Sequence, residues 1–361
     1  MRTVLDQLLT GLSEGPVALA RIVSATGSAP SAVGTAMLVD GSGEVTGSLS
    51  AGCVDAAVVD SADEVLATGV AVLDEFGVDE SDGFGVGLLC GGTIEVLVER
   101  VEPARLPLLQ RLRDLIAVNS PVALATTLSA SPDWHLREAG GRPGWRGRGH
   151  DIDDLLAAGR SGIVGIAECD DPGGIPRPRT LVQAFAPPRR LILVGANDFV
   201  RELAALGRQL GMRVSVVDAR PVFATAARFP AADEVVVEWP DRYLRREAGA
   251  GRIGASTVVC VMTHDTKFDV PALTVALRTA TPLGFVGALG SRRTHDDRLR
   301  RLRQAGLTDA ELAPLRSPVG LDLGGHTPAE AAVSIAAEII ADRSRATARP
   351  LHTLAGPIHP R

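Results

Sequence analysis

Aromatic side chains are scarce, at 3% of the 361 residues, so stacking on bases or sugars is not expected to dominate binding. Cysteine is scarcer still. The four thiols Cys53, Cys90, Cys169 and Cys260 are widely scattered and include no CxxC pair, which excludes a disulfide framework and predicts reduced thiols in a cytoplasmic protein. There is no excess of positive charge: 37 basic residues face 43 acidic ones, for a net −6, which argues against a nucleic-acid or membrane-surface partner. No run approaches membrane-spanning length, and the N-terminus has no apolar core for export. What remains is an ordinary globular composition, 45% apolar and 22% charged, long enough for two domains or three small ones.

The chain is organised around Thr46-Gly-Ser-Leu-Ser-Ala-Gly-Cys53-Val-Asp55, answered further on by Leu89-Cys90-Gly-Gly92. Each places a cysteine beside glycines (Gly52; Gly91 and Gly92), where backbone can approach a ligand closely. Val54, Val58, Val65 and Leu66 recur at helical spacing, which predicts a helix beginning at Cys53 and ending at Gly69. A helix start favours a thiolate, which is both nucleophile and soft metal ligand. Two buried structural cysteines are the alternative.

Taken in order, residues 1–12 read as a short amphipathic helix, followed by strands at Val17–Val23, Thr35–Asp40 and Glu44–Leu49. After the Cys53 helix come a strand near Ala71–Glu75, a glycine- and acid-rich loop, a strand at Thr93–Val98 and a helix at Leu106–Val118. An internal echo then appears. Pro16-Val-Ala-Leu-Ala20 recurs as Pro121-Val-Ala-Leu-Ala125, and Thr93-Ile-Glu-Val-Leu-Val as Thr180-Leu-Val-Gln-Ala-Phe. Residues 16–106 and 121–190 read as a repeat whose second copy adds strands to the first layer and lacks equivalents of Cys53 and Cys90.

Pro187-Pro188 marks a boundary between a mixed α/β domain, residues 1–188, and a Rossmann-like doubly wound parallel domain, residues 189–345. Residues 346–361 read as a flexible tail. The second domain opens on Leu191-Ile-Leu-Val-Gly195, a helix carrying Phe199, Leu203, Leu206 and Leu210, and a strand ending in Asp218, 23 residues beyond Gly195. That is the layout of a dinucleotide-binding unit, with phosphate at the helix start and the acid on ribose hydroxyls. The turn itself reads Gly195-Ala-Asn197-Asp-Phe-Val200 rather than G-x-G-x-x-G. Asn197 can adopt positive φ, but its side chain would crowd a pyrophosphate, Asp198 would repel it, and Val200 would hold the helix further from the strand. NAD(P) in its usual pose is therefore not expected.

Further strands, Glu234–Glu238, Thr257–Met262 and Leu283–Ala288, alternate with helices near 270–280, 294–305 and 328–343. Three strand-end loops lie where open α/β sheets bind ligands. His264 can be an acid–base group, a metal ligand or a polar strand end. Ser291, Arg292 and Arg293 can hold phosphate or form a solvated helix start. Asp322 and His326 can reach a ligand or only shape a turn.

Gly27-Ser-Ala-Pro30, Gly47-Ser-Leu-Ser-Ala-Gly-Cys53-Val, Cys90-Gly-Gly92, Gly290-Ser-Arg-Arg293, and Pro318-Val-Gly-Leu-Asp322 with Thr327-Pro328 together resemble the XdhC/CoxI family. These are accessory proteins of molybdenum hydroxylases such as xanthine dehydrogenase and aerobic carbon monoxide dehydrogenase. The resemblance implies a chaperone, rather than a turnover enzyme, that binds molybdenum cofactor as molybdopterin or its dinucleotide form. Such a chaperone protects the cofactor while its terminal sulfur is installed and delivers it to an apo-hydroxylase. A cysteine desulfurase and a second copy of the chain are the further partners implied. Cys53 and Cys90 would then be molybdenum ligands or sulfur carriers. Gly52, Gly91, Gly92, Gly195, Asn197, Asp218, His264, Ser291, Arg292, Arg293 and Asp322 would line the cofactor site. The chain departs from the family's pattern at Ala51, where glycine is expected, and at the Asn197–Val200 turn. An NAD(P)-dependent oxidoreductase and a non-catalytic assembly scaffold are the competing readings.

Overall fold

Two faces of one strand explain the first half of the chain. After helix α1 (Leu5–Glu14), strand β1 (Val17–Thr26) sends Val17, Leu19 and Val23 to one side and Ala18, Ala20 and Ile22 to the other. The computed structural model describes residues 1–27, 31–77, 92–139, 149–165 and 179–355. It divides into two compact units, one holding Met1–Pro187 and the other Pro188–Leu354.

In the first unit, β2 (Ala36–Val39), β3 (Val45–Gly47), helix α2 (Asp55–Thr68), β4 (Val72–Phe76) and β5 (Thr93–Val101) follow β1. The strands form an antiparallel sheet in the order β3-β2-β1-β5-β4. Helix α2 covers the Ala18–Ile22 face through Val58, Ala62 and Val65. After α3 (Leu106–Ala117) the pattern recurs as β6 (Val122–Thr127), β7 (Trp134–Glu138), α4 (Gly149–Ala158), β8 (Gly162–Val164) and β9 (Thr180–Phe185), ordered β7-β6-β9-β8. Ile152 and Leu156 of α4 cover Ala123, Ala125 and Val182. The second copy thus builds its own sheet instead of extending the first. The reason is apolar surface on both sides of both sheets: Val122, Leu124, Trp134 and Phe185 must be buried too, and they join Val17 and Leu19 in one core.

Register corrects the echo by three residues. Val17 faces Val101, and Val122 faces Phe185, which makes Glu95, Leu97 and Glu99 the counterparts of Arg179, Leu181 and Gln183. Counterparts meet one another. Glu95 pairs with Arg179, and Leu97 shares a cluster with Leu181. Fully buried Arg21 pairs with Glu99 and donates to Thr126 Oγ1 and Gln183 Oε1, both at 2.9 Å. Trp134 Nε1 completes this centre by donating to Glu99.

The second unit alternates as expected: β10 (Arg190–Val194), α5 (Asp198–Gln209), β11 (Arg213–Val217), β12 (Glu234–Val236), α6 (Pro240–Gly249), β13 (Thr257–Val261), α7 (Thr266–Leu277), β14 (Phe285–Ala288), α8 (Arg292–Gln304), α9 (Asp309–Leu312), β15 (Leu315–Arg316) and α10 (Pro328–Ser344). All its strand pairs are parallel, in the order β12-β11-β10-β13-β14-β15. Helices α5 and α10 cover one face of this doubly wound sheet, and α6, α7 and α8 the other. Helix α6 escapes sequence reading because Asp241, Arg242, Arg245, Arg246 and Glu247 swamp its two apolar anchors, Tyr243 and Leu244. Val200 is fully buried without displacing α5. The close approach comes later, at Gly207, where a Cβ would lie 2.5 Å from Leu191. Beyond α10 the described residues are exposed, with one short 3-10 turn at Leu351–Thr353.

Candidate functional site

Leu49 and Val54 are both fully buried against the first sheet, and between them the chain bulges outward. Ala51, Gly52 and Cys53 lie exposed on that bulge. A single carboxylate holds it: Asp55 accepts from the backbone N–H groups of Leu49 and Ser50, each at 3.1 Å, and from the hydroxyls of Ser48 and Ser50. These bonds keep Asp55 ionised below the usual carboxylate range, although burial opposes them most strongly. The helix begins at Asp55 with Val54 as its cap, so Cys53 sits in the turn before the helix and not in its first turn. Its thiol is presented by backbone geometry, with Gly52 at φ 111° and Ala51 at φ 55°.

Cys90 and Gly91 lie outside the described residues. Gly77 and Gly92 bound their segment, at the end of β4 and the start of β5. Pairing of Phe76 with Ile94, Thr26 with Thr93 and Met37 with Gly47 places that segment's two ends and the Cys53 turn at the same end of the sheet. Cys260 is different: it is fully buried in β13, and burial pushes its thiol up to about 12.

In the second unit, Gly195, Asn197, Asp218 and His264 converge on the carboxyl edge of the sheet. The Gly195 N–H donates to Val217 O at 2.9 Å, bringing Asp218 beside the turn. Gly195 has φ 116°, and a Cβ there would lie 2.7 Å from Thr263. Asn197 does not adopt positive φ. It is extended, at φ −138°, and caps α5 by accepting from Val200 N–H while donating to Met262 O at 2.8 Å. Asp198 pairs with Arg201. Asp218 is buried and bound to Arg220 through both carboxylate oxygens, so it is not free to hold ribose hydroxyls. A crevice of about 330 Å³ opens here, lined by Asn197, Arg220, Phe223, Arg228 and His264 among others.

Arg220, Phe223 and Arg228 escape sequence reading. Only the proximity of two arginines to the acid at the strand end could have pointed to them. His264 is exposed at the crevice wall.

Further along the same edge, Ser291 caps α8 by accepting from Thr294 N–H, leaving Arg292 and Arg293 exposed in its first turn. Asp322 and His326 lie in the loop before α10, Asp322 and His326 both open to solvent. None of these lines the crevice. The loops are tied together beneath the surface by Arg298, which donates to Asp269, to Ser317 Oγ at 2.8 Å and to Leu289 O at 2.8 Å. Asp269 in turn accepts from Thr263. Among the described residues, no three His, Cys, Asp or Glu side chains gather as a metal site would require, and no helix is long and apolar enough to cross a membrane.

Residues 191–339 match the XdhC Rossmann domain, and residues 12–77 match the XdhC and CoxI family. The chain is 28% identical over 346 residues to a Bacillus subtilis (strain 168) protein named as a probable xanthine dehydrogenase subunit, covering 95% of this chain and 97% of that protein. It is 27% identical over 348 residues to the molybdenum cofactor insertion chaperone PaoD of Escherichia coli (strain K12), covering 95% and 88%. A crystal structure of a xanthine dehydrogenase from Bacillus halodurans matches with a TM-score of 0.70 and 29% identity, over 97% of this chain and 98% of that one.

Proposed function

We propose, from the premise that this chain belongs to the XdhC and CoxI family, that it is a molybdenum cofactor-binding chaperone serving a molybdenum hydroxylase. The observation that carries the reading is the similarity to a cofactor insertion chaperone along 95% of the chain. The exposed Cys53 turn, prearranged by Asp55, supports it. Molybdenum cofactor joins a soft, sulfur-bound metal to a phosphate-bearing tail. An exposed thiolate suits the metal end and also suits transfer of sulfur supplied by a cysteine desulfurase, while guanidinium groups such as Arg292 and Arg293 suit the phosphate end.

In this reading Cys53 and Cys90 face the molybdenum or carry its terminal sulfur. Gly52, Gly91 and Gly92 keep side chains away from the ligand. Xanthine dehydrogenase or carbon monoxide dehydrogenase is the kind of client expected.

The test is activation of an apo-hydroxylase in a strain lacking this protein, complemented by wild type or Cys53→Ser. Serine is nearly isosteric but a poor soft ligand at neutral pH, so the variant should fold normally, retain less pterin and activate the client at least ten-fold less well. Equal activation by both would make Cys53 a structural residue and favour a scaffold without cofactor.

A further inference from the structure

The crevice at the carboxyl edge of the second unit carries a positive charge that the fold does not use. Arg220 spends Nε and one Nη on Asp218, and its other Nη has no partner among the described residues. Arg228 pairs with no carboxylate among the described residues; its one bond is a long 3.4 Å contact to Phe223 O. Both guanidinium groups lie over the ring of Phe223, at 4.8 and 5.5 Å from its centroid, so one aromatic side chain holds two like charges close together. Phe223 is itself 41% exposed. The unpaired Arg228 guanidinium and the spare Nη of Arg220 meet on one wall of the crevice, whose lining carboxylates Asp198 and Asp265 are paired with Arg201 and Lys267. Together they form an anion clamp, since planar guanidinium groups match phosphate oxygens in particular.

The other walls narrow the ligand class. In a dinucleotide fold the pyrophosphate rests on the start of the first helix, but here Asn197 caps that helix and Asp198 stands in its first turn. A ribose diol would need Asp218, which Arg220 has taken. An internal pyrophosphate and a bare ribose are both disfavoured, whereas a terminal phosphate is not. At about 330 Å³ the crevice is at the lower end of small-molecule sites, larger than a phosphate needs. Of the aromatics Phe223 lines it, and buried rings back the two arginines: Arg228 also lies over Phe229, and Arg220 over Phe268, on which Trp239 packs.

We propose that this crevice binds a nucleoside phosphate through its terminal phosphate, clamped between Arg220 and Arg228 beside Phe223. The inference concerns the second unit alone and does not draw on the thiols or on molybdenum. The nucleotide is a free one, because a dinucleotide-form cofactor carries its phosphates only as an internal pyrophosphate.

Calorimetric titration of the full chain with adenosine, cytidine and guanosine 5′-diphosphates tests it, with adenosine, inorganic pyrophosphate and NADH as controls. At least one diphosphate should bind ten-fold or more tighter than any control. Arg228→Ala should weaken it at least ten-fold; the side chain is exposed, so the fold should persist. Arg213→Ala, at the opposite edge of the sheet, should change nothing. No binding of any diphosphate at millimolar concentration, equal binding by Arg228→Ala, or equal loss in Arg213→Ala would each overturn the proposal. Nucleotide released on denaturing purified protein should come without equimolar pterin; release with equimolar pterin would assign the crevice to a cofactor's internal pyrophosphate and overturn the terminal-phosphate clamp. Activation of the hydroxylase is read separately, so failure of nucleotide binding leaves the chaperone reading standing, and failure of Cys53 leaves this one.

Discussion

Asp218 offers both carboxylate oxygens to Arg220, two residues further along the same loop. The acid that would otherwise recognise a ribose diol is thereby neutralised inside the protein. Titration with NADH should show no stoichiometric binding at micromolar concentrations. A calorimetric 1:1 isotherm in that range would mean that the ion pair opens for the cofactor and that an oxidoreductase reading deserves to be revived.

The two described cysteines should differ sharply in reactivity. Cys53 is exposed, whereas Cys260 is fully buried with its thiol at about 12. At pH 8 only about one ten-thousandth of Cys260 would be ionised. Alkylation of native protein followed by peptide mass spectrometry should label Cys53 in minutes and Cys260 only on unfolding. Comparable rates would end the distinction between a chemical and a structural thiol.

Ala51 holds φ 55° in the turn before Cys53, a conformation that costs an L-residue about 1 kcal/mol. Ala51→Gly should therefore stabilise the first unit, by about 0.5 kcal/mol once glycine's greater unfolded freedom is subtracted. Thermal unfolding should rise slightly, with the Cys53 alkylation rate unchanged within about two-fold. A clear loss of stability would show that the turn is not strained.

Glu247 sets a pH dependence. Its carboxyl is lowered from 4.5 to about 2, chiefly because Arg252 donates to it, with Arg190 adding another bond against the cost of burial. A group depressed in the folded state stabilises fully above its unfolded value, and that contribution is lost as pH falls from 4.5 through about 2. Glu247→Gln should cost about 2–3 kcal/mol at pH 7 in urea unfolding. The difference from wild type should shrink toward nothing near pH 2. A difference that persists there would assign the effect to packing.

How much of this was legible in the sequence depended on the range of the interaction. The Rossmann unit was readable because most of its strands and helices, α6 excepted, announce their own period, and Gly195 and Asp218 then fall into place by chain distance. Boundaries slipped by only a few residues, as where α2 starts at Asp55 and not at Cys53. The echo of Pro16–Ala20 at Pro121–Ala125 marked a repeated element order, but not that the copies stack as separate sheets. That outcome depends on which side of each strand is left uncovered. Arg220, Phe223 and Arg228 were missed because a loop has no period, and their meeting depends on how the chain turns after β11. Arg298 is hidden in the sequence by a run of charged residues, yet it is a buried tie between helix α7 and the loops at Leu289 and Ser317.

The pairing of Glu95 with Arg179 has a consequence for assembly. Residues at equivalent places in two stacked copies meet near the axis relating them, so two identical copies would set carboxylate against carboxylate or guanidinium against guanidinium. Opposite charges there require the copies to differ, and carrying both in one chain keeps the unlike halves at equal number. The first unit thus has the form of a heterodimer written into one polypeptide. A like copy in place of either half would set like charges against each other at this pair.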